Sequence, residues 1–440
     1  GIVIGTFLII YFVINIFYDF LAGENPRNLT LSQLAEGVSK EYTWLLHLTI
    51  NCVGYSVLLV PGVLIYKYTK KTKYLERSEH NYLYAIVKSC FADNEKLDAP
   101  GQSAKEKSAN KAVAKECILL TYCFLGLMGS YLTWGVLQEK IMTREYLGLD
   151  GKTKAFFKDS QFLVFANRLL ALVIACIYLV ARQQTRHRAP LFKYSYASFS
   201  NIMSAWLQYE ALKFVSFPTQ VLAKSCKIIP VMIMGRIISR NKYEFYEYIV
   251  AVAISVGMVF FLSGSYDQSK STPITTITGL FLLCMYMVFD SFTSNWQSEI
   301  FQTYGTTSIQ MMCGVNLFST LFTASSLFVQ GGFSEGLQFS SEHPKFLVDC
   351  VVLSISSAIG QLFIFYTIAK FGAVVFTIIM TLRQAIAILL SCLIYHHNIS
   401  PLGVFGIIIV FLAIFVRVYS SHRLKNLRRK HELLKQRLNV

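Results

Sequence analysis

The chain has 440 residues, of which 54% are hydrophobic and 15% are charged, and its mean hydropathy is +0.46. Soluble domains carry about 25% charged residues, so this composition excludes an ordinary water-soluble enzyme, and it also excludes a disordered chain or a secreted disulfide scaffold. The 41 Lys and Arg outnumber the 25 Asp and Glu, which gives a formal net charge of +16. An apolar chain with a basic surplus is typical of a protein that crosses the membrane several times.

Apolar stretches divide the chain into segments that could each cross a bilayer, for which a helix needs about 20 mostly apolar residues. Twelve stretches qualify or nearly do, near residues 2–20, 44–66, 117–137, 160–181, 194–212, 216–238, 246–263, 275–296, 308–329, 346–369, 371–395 and 402–419. The first also resembles the apolar part of a signal peptide, but no clear cleavage site follows it, and a retained anchor is favoured.

A polar insert with a lysine run separates the first two stretches from the other ten. The sequence therefore predicts an all-α polytopic membrane protein with four parts. These are an N-terminal appendage of two hydrophobic helices at 1–66, a basic cytosolic linker at 67–116, a ten-span core at 117–420 and a basic cytosolic tail at 421–440.

Loop charges predict the orientation through the positive-inside rule. If the linker lies in the cytosol, the basic loops at 182–193 and 236–242 and the basic tail lie in the cytosol as well, as the rule requires. The basic loop at 140–158 would lie on the opposite side, contrary to the rule. Both termini are then expected in the cytosol. Asn28, in an Asn-Leu-Thr sequon of the first non-cytosolic loop, is a glycosylation candidate.

A short repeat divides the ten core spans into two halves, at about 117–263 and 275–420. The segment YEALKF begins at Tyr209 and YTIAKF begins at Tyr366, an offset of 157 residues. Because five spans separate the two copies, the halves must have opposite orientations in the membrane. Inverted five-helix repeats are the usual plan of secondary transporters, with the substrate site near the middle of the membrane.

The fourth core span carries two lysines where a membrane helix should be apolar. Gln220, Lys224 and Lys227 are spaced i, i+4 and i+7, which places them on one face of a helix. Pro230 is expected to bend this helix just beyond Lys227, because proline lacks the backbone N–H. At the same offset of 157, Lys227 corresponds to Gln384, which follows Arg383 in the ninth core span.

Cations outnumber acids in the core spans. The cations are Arg168, Lys224, Lys227 and Arg383, and the acids are Glu210 and Asp290. The side chains of the two lysines could extend to the polar surface of the membrane at the helix ends, or their ammonium groups could pair with one of these acids. An uncompensated cationic cavity would instead indicate a ligand that is an anion, and this interpretation is favoured.

Three polar residues of other spans have two interpretations each. Asn167 and Arg168 in the second core span either form interhelical hydrogen bonds or contact the substrate, and the same alternatives apply to Asn316 in the seventh. Asn316 could contact a purine or a ribose.

Enzyme and cofactor motifs are not found in the sequence. It contains no Walker A, HExxH or GxSxG pattern and no metal-ligand spacing, so we expect no cofactor, no metal and no catalytic activity. No basic stretch has the aromatic residues expected of a nucleic-acid surface.

The stretch FPTQVLAKSCKIIPVM at 217–232 resembles the nucleotide-sugar transporter family of the drug/metabolite transporter superfamily. The pattern is most similar to its Golgi members that carry 3′-phosphoadenosine 5′-phosphosulfate (PAPS). The resemblance implies carriage of PAPS from the cytosol to the Golgi lumen by alternating access, in exchange for adenosine bisphosphate or AMP. It also implies that the fourth, seventh and ninth core spans contact the substrate, which here points to Lys224, Lys227, Asn316, Arg383 and Gln384.

The ninth span lacks the Gly-Ala-Leu-Asn-Lys motif of GDP-sugar carriers, which argues against guanine recognition. Three alternatives stay open: a UDP-sugar carrier of the same fold, an anion channel, and an intramembrane transferase. A homo-oligomer is compatible with the sequence.

Overall fold

The structure is a computed structural model of the chain. It describes residues 2–22, 43–76, 82–92, 109–143, 145–148, 154–155, 157, 160–182, 189–211, 214–215, 220, 223–224, 226–240, 243–265, 277–330, 332–394 and 401–438.

The described residues are almost entirely helical. In chain order the helices are α1 (Ile2–Ala22), α2 (Thr43–Lys71), α3 (Tyr82–Phe91), α4 (Ala109–Thr143), α5 (Ser160–Ala181), α6 (Phe192–Ala211), α7 (Ile228–Ile238), α8 (Phe245–Ser265), α9 (Ile277–Tyr304), α10 (Ser308–Gln330), α11 (Gly332–Glu342), α12 (Pro344–Ile394) and α13 (Pro401–Leu438). A 3₁₀ turn at Tyr74–Glu76 and an antiparallel pair of two-residue strands, β1 (Tyr146–Leu147) and β2 (Lys154–Ala155), are also present.

Each of the twelve apolar stretches overlaps a helix, and the stretches at 346–369 and 371–395 share one helix, α12. Among the described residues, six helices are long and apolar enough to cross a membrane, namely Trp44–Lys71, Cys117–Gln138, Gln161–Ala181, Ile277–Tyr304, Ser308–Gln330 and Pro344–Ile386. The prediction of a helical protein that crosses the membrane several times is therefore confirmed.

Helix α12 covers two of the predicted stretches and is interrupted at Gly372. This residue has φ +82° and ψ 171°, a conformation that is open to glycine and strained for other residues. The interruption divides α12 into an N-terminal part at 344–371 and a C-terminal part at 373–394.

The chain forms two compact units. Unit 1 consists of Gly1–Phe199 and Ile300–Ala369, and unit 2 consists of Ser200–Glu299 and Lys370–Val440.

In unit 1, helix α2 of the N-terminal appendage packs against α10. The Oδ1 atom of Asn51 accepts hydrogen bonds from the Ser326 hydroxyl at 3.0 Å and from the Gln330 amide at 2.9 Å. A Cβ added to Gly54 would lie 3.1 Å from the Cα of Ser326, so the two backbones approach closely. Small residues and interhelical hydrogen bonds are the usual means by which membrane helices associate, and these contacts join α2 to α10 within unit 1.

An ion pair lies beside an aromatic cluster elsewhere in unit 1. The Nζ atom of Lys140 contacts Oδ1 of Asp349 at 2.7 Å, and the Tyr146 hydroxyl donates to the other oxygen of Asp349 at 3.0 Å. Tyr146 packs edge-on against Phe346, which is fully buried. These contacts fix the end of α4 to the first part of α12.

In unit 2, helices α8 and α13 cross at two glycines. A Cβ added to Gly406 would lie 2.5 Å from the carbonyl oxygen of Gly257 and 2.4 Å from the backbone nitrogen of Phe261. Val410 and Met258 are buried on the same helices and belong to one apolar cluster. Glycine is needed here because the two backbones are in direct contact.

Candidate functional site

An ion pair in unit 2 joins Lys227, just before α7, to Asp290 in α9 through Nζ and Oδ2. The two side chains keep 14% and 24% of their surface exposed, so the pair is only partly enclosed. A single ionised group in a membrane-spanning segment costs about 2.5–3.5 kcal/mol, and the contact compensates one such group with another. The sequence left open whether Lys227 pairs with an acid, and the structure pairs it with Asp290.

Contacts one turn away from the ion pair hold α7 against α9. The side-chain amide of Asn295 donates to the carbonyl oxygens of Val231 and Ser291, both at 2.9 Å. Gly235 permits this approach, because a Cβ there would lie 2.7 Å from Oδ1 of Asn295. Asn295 is fully enclosed and has no charge. The sequence analysis did not select it, although an asparagine in an apolar span is a signal for an interhelical bond.

Lys224 and Arg383 form the cationic part of the site. Lys224 precedes Lys227 by three residues, and its charge repels those of Lys227 and Arg383. Among the described residues Lys224 has no acidic partner, and its side chain is half-buried, as are those of Arg383 and Gln384 in the C-terminal part of α12. The structure therefore gathers the two predicted lysines, the predicted arginine and Asp290 within unit 2.

The helical backbone is interrupted at Lys227, close to the position where the sequence predicts a bend. Cys226 and Lys227 form a turn, and α7 begins only at Ile228. Pro230 therefore lies in the first turn of a helix, where its missing N–H is not needed. The interruption lies on the N-terminal side of Pro230, because the missing N–H leaves the carbonyl oxygen of Cys226, four residues before, without its helical donor. The predicted bend near Lys227 is thus present, slightly earlier in the chain than the sequence placed it.

Gln220 occupies a buried position in the same unit. Only 1% of its surface is exposed, and its Nε2 donates to the carbonyl oxygen of Gln208 in α6 at 2.9 Å. This hydrogen bond ties the segment before Lys224 to α6. Glu210, near the end of α6, is also buried.

Asn316 of unit 1 is fully buried in α10 and bonds across to α12. Its Nδ2 donates to the Gln361 side-chain oxygen at 2.7 Å and to the Met312 carbonyl oxygen at 2.8 Å. Its Oδ1 has no hydrogen-bond donor among the described residues, so one acceptor is available. Gln361 was not selected from the sequence, which gives no sign that these two residues are in contact.

Asn167 and Arg168 lie in α5 of unit 1. The Oδ1 atom of Asn167 accepts a hydrogen bond of 2.6 Å from Ser354 in α12. Asn167 therefore has an interhelical hydrogen bond. Arg168 is half-buried in the same helix. Asn28, the glycosylation candidate, lies outside the described residues.

Comparisons with known proteins identify the family of the chain. A sequence model of the UAA transporter family matches residues 119–421. The chain is 57% identical to Adenosine 3′-phospho 5′-phosphosulfate transporter 1 of Drosophila melanogaster, over 100% of this chain and 96% of the relative. It is 50% identical to the Homo sapiens protein of the same name, over 87% and 88% of the two chains.

A more distant relative is UDP-galactose/UDP-glucose transporter 5 of Arabidopsis thaliana, with 35% identity over 72% of this chain and 92% of its own. One crystal structure matches with a TM-score of 0.51 and 11% identity, over 69% of this chain and 98% of its own, and this likeness concerns the fold alone. The family match covers more than half of the chain, and the resemblance found at 217–232 is confirmed: the chain belongs to the UAA transporter family.

Proposed function

We propose that the chain carries PAPS across the Golgi membrane, from the cytosol to the lumen, by alternating access. The observation that carries this proposal is the similarity over nearly the whole chain to proteins named as transporters of this nucleotide. The cationic cluster of unit 2 supports it, because a membrane segment that holds several positive groups requires an anionic partner.

The chemistry of PAPS suits the residues of unit 2. The nucleotide has a 5′-phosphosulfate and a 3′-phosphate on opposite sides of a ribose, so it presents two separate anionic ends. Arginine binds such oxygens in a bidentate manner, and lysine acts as a mobile point charge. We assign Lys224 and Lys227 to one end and Arg383 to the other. Gln384 and Gln220 are further candidates there, and Asn316, Asn167 and Arg168 are candidates in unit 1.

The ten-helix core with inverted halves is part of the same proposal. Subtracting the offset of 157 from Lys370–Val440 gives 213–283, which lies inside the other segment of unit 2, Ser200–Glu299. Helix α8, the fifth core span, packs against α13, the tenth, and α5, the second, packs against α10, the seventh. These contacts between corresponding helices support an inverted repeat. The appendage, the cytosolic linker and the cytosolic termini are proposed as the sequence places them.

A UDP-sugar carrier is the second candidate, because the Arabidopsis thaliana relative is named for UDP-galactose and UDP-glucose. Such a substrate carries fewer negative charges than PAPS and would need fewer cations.

The test is uptake of radiolabelled PAPS by purified protein in liposomes preloaded with adenosine 3′,5′-bisphosphate. Unlabelled PAPS should compete for uptake much better than UDP-galactose. Stronger competition by UDP-galactose would favour the second candidate, and flux without any internal nucleotide at channel-like rates would contradict a carrier. An epitope at the C-terminus, accessible to antibody in sealed Golgi vesicles, tests the orientation.

A further inference from the structure

We propose that Asp290 is a built-in counter-anion that competes with the substrate for Lys227. This inference rests on the proposed function and assigns a regulatory role at the same site. In the structure, Asp290 holds the Nζ of Lys227. When an anionic nucleotide binds, its phosphate or sulfate oxygens offer Lys227 a second partner of the same chemistry.

The two helices have contacts other than the ion pair. Asn295 and Gly235 join α7 to α9 one turn further along, through neutral hydrogen bonds and close backbone contact. The ion pair thus lies at the end of an interface that is already fixed. Loss of the Lys227–Asp290 contact on substrate binding leaves these anchors intact.

The position of the ion pair also suits exchange of partners. Lys227 keeps 14% and Asp290 keeps 24% of the side-chain surface exposed, so the rest of the protein does not fully enclose the contact. Lys224, three residues before, has no acidic partner among the described residues and repels Lys227. A nucleotide attracted by Lys224 and Arg383 therefore arrives beside the ammonium group of Lys227, which the carboxylate of Asp290 already contacts.

This arrangement makes a quantitative prediction. When Lys227 spends about nine-tenths of its time with Asp290, only about one-tenth of the carrier is ready to bind, and the apparent dissociation constant is about tenfold weaker than the intrinsic one. Asp290→Asn removes the competing charge and keeps the side-chain shape. We expect it to bind PAPS about tenfold more tightly than the wild type.

The experiment measures binding of radiolabelled PAPS to purified protein in detergent for five chains. These are the wild type, Asp290→Asn, Asp290→Glu, Lys227→Gln and the double variant Lys227→Gln/Asp290→Asn. Asp349→Asn is the matched control, because Asp349 is an ion-paired aspartate of unit 1 whose partner is Lys140. The control should bind as the wild type does, and Asp290→Glu, which keeps the competing negative charge, should not bind more tightly than the wild type. Asp290→Asn should have no effect in the Lys227→Gln background, since its benefit acts through Lys227.

Binding by Asp290→Asn that equals or falls below that of the wild type would overturn the inference, as would tightening that persists without Lys227. If Asp290→Asn does not fold, Asp290→Ser is a second neutral variant. If neither folds, the ion pair is required by the fold and the inference is wrong. A wild type that binds UDP-galactose and not PAPS would overturn the proposed function alone, and the same five chains then decide the role of Asp290 with UDP-galactose.

Discussion

Substitution of Gly406 by alanine tests the close crossing of α8 and α13 in unit 2. The new Cβ would lie 2.4 Å from the backbone nitrogen of Phe261 and 2.5 Å from the carbonyl oxygen of Gly257. An ordinary contact needs about 3.4 Å, so the helices must separate by about 1 Å, because backbone atoms cannot turn aside as a side chain can. Overpacking of this kind costs about 1–3 kcal/mol of folding free energy.

The assay is thermal unfolding of the purified protein in detergent, followed by loss of the monodisperse peak in size-exclusion chromatography. Gly129→Ala is the matched control, because a Cβ at Gly129 meets nothing within 4 Å. The control should unfold at or above the wild-type temperature, since alanine favours a helix over glycine, and Gly406→Ala should unfold several degrees below it. Equal unfolding temperatures for the two variants would refute the reasoning.

Three other predictions concern function and packing. Lys224→Ala and Arg383→Ala should each reduce PAPS uptake about 10- to 100-fold with unchanged chromatographic behaviour, because each removes a charge-assisted contact of about 1.5–3 kcal/mol; wild-type uptake by both would refute the site. Asn295→Ala should destabilise the protein by about 0.5–2 kcal/mol in the same unfolding assay, since it removes an interhelical hydrogen bond. Copper phenanthroline should oxidise Cys176 and Cys313 to a disulfide, visible as a cross-linked peptide in mass spectrometry, because their sulfur atoms lie 3.7 Å apart; two unlinked thiols would contradict the packing of α5 on α10.

The helices were predictable because a membrane imposes a simple pattern. A segment that crosses hydrocarbon must be long, apolar and internally hydrogen-bonded, so its length and composition are visible in the sequence. The position where α7 begins was not predictable in this way. Pro230 indicated a bend just beyond Lys227, and the interruption lies slightly earlier, at Cys226 and Lys227. Proline removes the N–H that would bond to the carbonyl oxygen four residues before it, so local sequence shows the side on which the helix is weakened but not the exact residue at which it begins again.

The charged residues of the site were predictable and their partners were not. Lys224, Lys227, Arg383 and Asp290 are conspicuous as ionisable groups in apolar segments. Which acid meets which base depends on the register of α7 against α9, and this register is set by a neutral asparagine and a glycine that carry no charge signal. The same holds for Asn316, whose partner in α12 is distant in the sequence and has no motif.

The charge of Lys224 bears on whether the carrier returns empty. Lys227 is compensated by Asp290, but Lys224, whose charge is repelled by that of Arg383, has no acidic partner of its own among the described residues. An uncompensated lysine in the membrane costs about 2.5–3.5 kcal/mol, and a bound nucleotide removes that cost. If the cost falls on the barrier to reorientation, the empty carrier returns about a hundredfold more slowly than the loaded one. Uptake of PAPS into liposomes with internal adenosine 3′,5′-bisphosphate should therefore exceed uptake into nucleotide-free liposomes by about this factor, and equal rates would show that Lys224 is compensated in the empty protein.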